Sequence, residues 1–105
     1  MKLYLVTRRD LAPGVRAAQL CHALRQLAAE HPDLDACWFA QSNTLVLLEV
    51  ADEPALEALA VRARAAAVPI SAFHEPDLDG ALTAVALGPS ARRLVRRLPL
   101  AYARP

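Results

Sequence analysis

Glycine, cysteine, lysine and aromatic residues are all scarce in this chain of 105 residues, and each scarcity removes a class of protein. Three glycines form neither G-x-G-x-x-G nor G-x-x-x-x-G-K-[ST], so no dinucleotide or nucleoside triphosphate site is indicated. The two cysteines, Cys21 and Cys37, lack ligand-like spacing. They read as reduced, largely structural thiols rather than a disulfide or a zinc site, and no metal is implied. Aromatics make up 5% of the chain while Ala, Leu and Val abound, which suits helices on a sheet better than a β-sandwich. The longest apolar run is about half a membrane span, and no charged stretch followed by a hydrophobic segment opens the chain. A soluble cytoplasmic protein without a membrane partner is expected, folded as one domain over residues 1–105.

What is present is unevenly spread. The formal net charge is +1, yet every acidic residue lies at or before Asp79, and Arg92, Arg93, Arg96, Arg97 and Arg104 follow it. A basic end of this kind suits an acidic ligand or a nucleic-acid backbone, and equally a solvated helix. Lys2 is the only lysine.

The central stretch is DLAPGVRAAQLCHALRQLAAEH, residues 10–31, a loop that turns into a long helix. Asp10 is placed to cap it, and Pro13 falls in the first turn, where a missing N–H does no harm. Leu20, Leu24, Leu27, Ala17, Cys21 and Ala28 recur at helical spacing as one apolar stripe fit to lie on a sheet. Arg16, Gln19 and His22 form a second, polar stripe at intervals of three.

Around this helix, residues 2–7 read as a short buried strand. The loop from Asp10 to Val15 then sits at the carboxyl end of that strand, where open α/β sheets bind ligands. HPDLDACWFAQSN reads as a connection broken by Pro32, with Trp38 and Phe39 as an aromatic patch over the core. TLVLLEV, residues 44–50, has the continuous apolar character of a central strand buried on both faces. Asp52 caps a second helix over about residues 53–66, with Leu56, Leu59, Ala60 and Ala63 inward.

Residues 69–73 and 82–87 read as two further strands joined by HEPDLDG. That tight link favours an antiparallel pair. It also gathers His74, Glu75, Asp77 and Asp79, and the clustered carboxylates can act as general bases or simply make a turn. ARRLVRRL forms a short last helix, and Leu98 to Tyr102 trail back over the core or a sheet edge. The result is an α/β domain, a single four-stranded mixed sheet with helices on its faces in the order β-α-β-α-β-β-α.

With RRDL after the first strand, AAQ-x-x-HA in the helix and TAVALGP in the last strand, the chain resembles the peptidyl-tRNA hydrolases of the second, archaeal and eukaryotic type, and especially their short bacterial relatives. The resemblance runs from about residue 3 to residue 100. It implies hydrolysis of the ester joining a peptide to tRNA, without a metal or cofactor, with tRNA as partner and a monomer or homodimer as the acting form. Gln19 and His22 match the helix motif, and Thr83 matches a threonine of the last strand. The family's catalytic lysine has no counterpart in the shortened APGVR turn, where Arg16 is the nearest cation and supplies only charge and hydrogen bonds.

His22 or Asp77 is therefore expected as base or water-orienter, Thr83 and Gln19 as positioning groups, and Arg16 with the loop amides as anion stabilisers. Asp10, Arg92, Arg93, Arg96 and Arg97 are expected on the substrate-binding surface. A module of the same fold that binds RNA or protein without catalysis is the alternative. Convergence of Arg16, His22, Asp77 and Thr83 on one cleft favours the enzyme, and their scatter over separate faces favours the module.

Overall fold

The computed structural model describes residues 1–103, so Arg104 lies outside the described residues. Four strands, β1 (Lys2–Arg8), β2 (Thr44–Val50), β3 (Ile70–Glu75) and β4 (Ala81–Leu87), form one sheet in the order β2-β1-β4-β3. β1 is parallel to β2 and antiparallel to β4, and β3 and β4 form the antiparallel pair expected of their tight link. The α/β class and mixed sheet are as the sequence implies. Helices α1 (Pro13–Glu30), α2 (Pro32–Gln41), α3 (Glu53–Ala65) and α4 (Arg92–Val95) cover the sheet.

Alternation along β1 divides the core in two. Leu3 and Leu5 face α1, joined by Leu20, Ala23, Leu27, Ala84 and Ala86, while Tyr4 and Val6 face α3 with Leu56, Leu59 and Val85. α3 begins as expected, with the Asp52 carboxylate accepting from the Ala55 amide at 3.0 Å.

Five local expectations are corrected. HPDLDACWFAQSN is largely α2 rather than a connection, because Pro32 occupies a first-turn position and opens a helix instead of breaking one. Trp38 is buried there and donates to Thr44 O, whereas Phe39 is 67% exposed and covers no core. β2 is an edge strand, not a central one, and only its carboxyl-terminal half is buried. Asp10 does not cap α1: the cap position is Ala12, with no side-chain hydrogen bond, and Asp10 pairs with Arg8 at 3.0 Å. The buried stripe of α1 is Gln19, Leu20, Ala23 and Leu27, so the helix is rolled relative to the expected apolar stripe, and Cys21 and Ala17 are exposed.

Both borders of the sheet are occupied. On β3, Gln26 Nε2 donates to the outward carbonyl of Ala72 at 3.0 Å, and His31 Nε2 lies 3.1 Å from that of Ile70. On β2, the segment after α4 runs antiparallel along the edge, with Glu49 N donating to Pro99 O and Ala101 N to Leu47 O. The chain does trail back over a sheet edge, as its sequence suggests.

Candidate active site

The site is built where α1 crosses the ends of β3 and β4. β4 carries an irregularity there: Phe73 pairs with Ala84 and His74 with Leu82, so Thr83 is an extra residue without a partner on β3. This is the arrangement of a β-bulge, which re-aims a side chain. Leu82 faces the α3 side and Ala84 the α1 side, and the Thr83 hydroxyl also reaches α1. The bulge is fastened by side chains. Glu53 accepts from the Leu82 amide at 2.7 Å, Arg8 donates to Leu82 O at 3.1 Å, and the Thr7 hydroxyl donates to Thr83 O at 2.9 Å.

Thr83 is fully buried, and its hydroxyl donates to Gln19 Oε1 at 2.6 Å. Gln19, 3% exposed, donates through Nε2 to Glu75 Oε1 at 3.0 Å. Glu75 Oε2 receives the Asp77 amide at 3.4 Å, at the single 3-10 turn Pro76–Leu78 that joins β3 to β4. The polar stripe of α1 is thus half core: a residue expected at the surface is the middle of a buried chain of hydrogen bonds. Glu75 has no cationic partner among the described residues.

Next to this chain lies a cavity of about 320 Å³, bordered by Gly14, Val15, Ala18 and Gln19 of α1 and by Glu75, Asp77 and Leu78. Gly14 and Val15 belong to the first turn of α1, where amides lack a helical acceptor, at the positive end of the helix dipole. The cavity therefore lies between Glu75 and Asp77, which carry carboxylates, and the first turn of α1. Among the described residues no three His, Cys, Asp or Glu side chains group as a metal site.

The residues named from the sequence divide between this cavity and other places. Asp77 and Gln19 border it, and Thr83 stands behind Gln19. His22 is exposed one turn along α1, stacked on Phe73 with ring centroids 4.7 Å apart. Arg16 leaves on the other flank of α1, donating to Glu49 Oε2 at 3.0 Å beneath the ring of Tyr102. Arg9 stands 3.8 Å from the same carboxylate. Asp10 is held by Arg8, whose hydrogen bond keeps its carboxyl below the usual range. Glu75 is the residue that sequence reading passes over, since it singles out Asp77 from the four clustered groups. Its signal was the spacing to Gln19, which only the fold connects.

Arg92, Arg93, Arg96 and Arg97 are exposed and without acidic partners among the described residues. Lys2, Arg92 and Arg96 rim a groove of about 260 Å³ over Tyr4, Leu48 and Val95, on the face opposite α1. Lys2 opens β1 and Thr7, near its end, touches Thr83, so this groove lies about 17 Å along the sheet from the cavity.

The family described as Peptidyl-tRNA hydrolase PTH2 matches residues 1–99. The chain belongs to this family. No curated protein matches it. PTH2 membership accounts for nearly all of the fold and implies, at the level of the family, a hydrolase whose substrate is peptidyl-tRNA. No helix among the described residues of this PTH2 chain is long and apolar enough to cross a membrane.

Proposed function

We propose that the chain hydrolyses the ester between a peptide, or an N-blocked amino acid, and the terminal ribose of tRNA, with a water activated at Glu75 and Asp77. One observation carries this reading. The buried chain from Thr83 through Gln19 ends on Glu75 at the border of a cavity that Gly14 and Val15, in the first turn of α1, also line.

A carboxylate so held takes a proton from water as its oxygen attacks the ester carbonyl. The carbonyl oxygen gains negative charge and is stabilised by the Gly14 and Val15 amides. The tetrahedral intermediate then expels the ribose oxygen, which receives the proton. A peptide acid and a tRNA with a free hydroxyl result, and water is the only co-reactant. Gln19 and Thr83 fix the carboxylate's orientation. Arg16, committed to Glu49, contributes positive charge beside the first turn and no proton. His22 offers its exposed face, backed by Phe73, to a base at the end of the tRNA. Asp10 orders Arg8 at the rim. Lys2, Arg92 and Arg96 with Arg93 and Arg97 hold phosphates further along the same RNA. This reaction belongs to translation in the cytoplasm, and the chain performs it as a monomer or homodimer.

The engagement of Arg16 by Glu49, with the only lysine at the far end of the sheet, favours a second reading, an RNA-binding module without hydrolysis. Peptide release from a purified N-blocked aminoacyl-tRNA separates them. Hydrolysis that falls about a hundredfold or more in Glu75→Gln supports the enzyme. Binding of tRNA with no release by the wild-type chain supports the module.

A further inference from the structure

The first turn of α1 is poorly secured by its own sequence. Its cap residue, Ala12, has no side chain able to accept from the orphan amides, no acidic residue occupies the turn, and Gly14 weakens it further. A helix end of this composition frays. Yet Gly14 and Val15 border the cavity beside Gln19.

What secures this turn comes from the other end of the chain. The segment after α4 is tied along the outer edge of β2 by the Glu49–Pro99 and Leu47–Ala101 backbone hydrogen bonds, which deliver Tyr102 to the amino end of α1. The Tyr102 hydroxyl donates to Pro13 O at 2.7 Å, and its ring lies over the Arg16 guanidinium, 4.9 Å from centroid to carbon. Arg16 is in turn fixed to the buried Glu49. Tyr102 itself has φ of +63°, a left-handed conformation that a side-chain-bearing residue keeps only where its surroundings hold it. It lies beyond residues 1–99, the stretch shared with the family.

We infer that Tyr102 is a positioning residue, a clamp that holds the first turn of α1 in place and so sets the Gly14 and Val15 amides against the carboxylate wall of the cavity. The clamp substitutes for the absent cap: it grips the turn from outside, through Pro13 O and Arg16, where most helices grip it through a serine or aspartate. In so far as it serves hydrolysis, this inference rests on the reading above; the clamp itself stands on contacts that do not depend on it.

The test combines amide hydrogen exchange with kinetics on N-blocked aminoacyl-tRNA, using the wild-type chain, Tyr102→Ala, Tyr102→Phe and the double variant Ala12→Ser, Tyr102→Ala. In Tyr102→Ala, exchange at the amides of Arg16 and Ala17 rises about tenfold while that at Leu24 and Leu27 is unchanged. kcat falls by a similar factor, about tenfold, with KM little altered, because the phosphate contacts lie elsewhere. Tyr102→Phe, which keeps the ring over Arg16 and loses the hydroxyl, falls between. Ala12→Ser supplies the missing cap from within and restores protection at Arg16 and Ala17 to Tyr102→Ala, but not kcat, because its hydroxyl engages the Gly14 or Val15 amide that the reaction uses. Unchanged exchange at Arg16 and Ala17 overturns the clamp, as does a loss of protection spread evenly over α1, or failure of Ala12→Ser to restore it. A wild-type chain that releases no peptide overturns the hydrolase reading instead, and the exchange measurements still decide the clamp.

Discussion

Thr83 and Ala84 are consecutive on β4, yet both turn towards α1, because a bulge at Thr83 breaks the alternation of the strand. Regular pleating sends neighbours to opposite faces, and here it would send the threonine hydroxyl away from Gln19. The chain of hydrogen bonds that reaches Glu75 therefore depends on one irregular residue.

Gln19 and Thr83 should behave as one unit in stability. Gln19→Ala leaves a buried hydroxyl and a carboxylate short of a partner and is expected to cost about 1–3 kcal/mol, as is Thr83→Val. The double variant should lose less than the sum by about 0.5 kcal/mol or more, since each single change already breaks their shared bond. Urea unfolding of the four proteins gives the coupling; strict additivity would show that the bond contributes nothing.

Removing the Glu53 carboxylate should loosen the bulge. Glu53→Ala leaves the Leu82 amide without its 2.7 Å acceptor, and a loss of about 1–3 kcal/mol is expected. Peptide release should fall with it, and faster exchange at the Leu82 amide locates the cause.

The salt dependence of tRNA binding tests the basic groove. Arg92→Ala with Arg96→Ala should weaken binding to any tRNA and lower the slope of log affinity against log salt by about one to two units. Adding Lys2→Ala should lower it by about one more, because Lys2 rims the same groove. An unchanged slope would leave these arginines as solvated surface only.

Acid should weaken the Arg8–Asp10 pair in a definite window. The hydrogen bond from Arg8, aided by its charge, lowers the Asp10 pKa in the folded chain. Between that value and the unfolded one, about 3.9, the unfolded chain binds more protons, so stability rises with pH there. The contribution is full above about pH 4 and lost as pH falls through the folded value. For so exposed a pair it amounts to at most about 1 kcal/mol. Asp10→Asn should therefore narrow the difference between unfolding midpoints measured at about pH 7 and about pH 2.

Ala67 ends α3 with φ of +56°, a conformation that costs alanine more than glycine. Ala67→Gly should raise stability by about 0.5–1 kcal/mol with an unchanged denaturant slope.

How much of this was legible beforehand follows from the reach of each signal. The four strands, α3 with its Asp52 cap and the β3–β4 pairing rest on neighbours in sequence, and the pattern displays them. The position of β2 depends on which strand lies beside β1, and an apolar run is compatible with a centre or a half-covered edge. The burial of Gln19 was hidden because a glutamine at helical spacing looks solvated until the strand opposite supplies Thr83 and Glu75, both more than fifty positions away. The bulge left no mark either, since LTAV reads as unbroken strand. Pro32 was ambiguous by nature, as the same ring stops one helix and starts another.

The covered borders of the sheet govern how copies of this chain can meet. A strand from another molecule finds the outward carbonyls of Ile70 and Ala72 occupied by His31 and Gln26, and the free side of β2 already paired with residues 99–101. Edge-to-edge growth, the route to strand-swapped dimers and to fibres, is hindered along the covered part of each edge. Association through side-chain surface is then favoured, and Phe39 on α2, Val61 on α3 and Leu100, each more than half exposed, are the large apolar groups it would use.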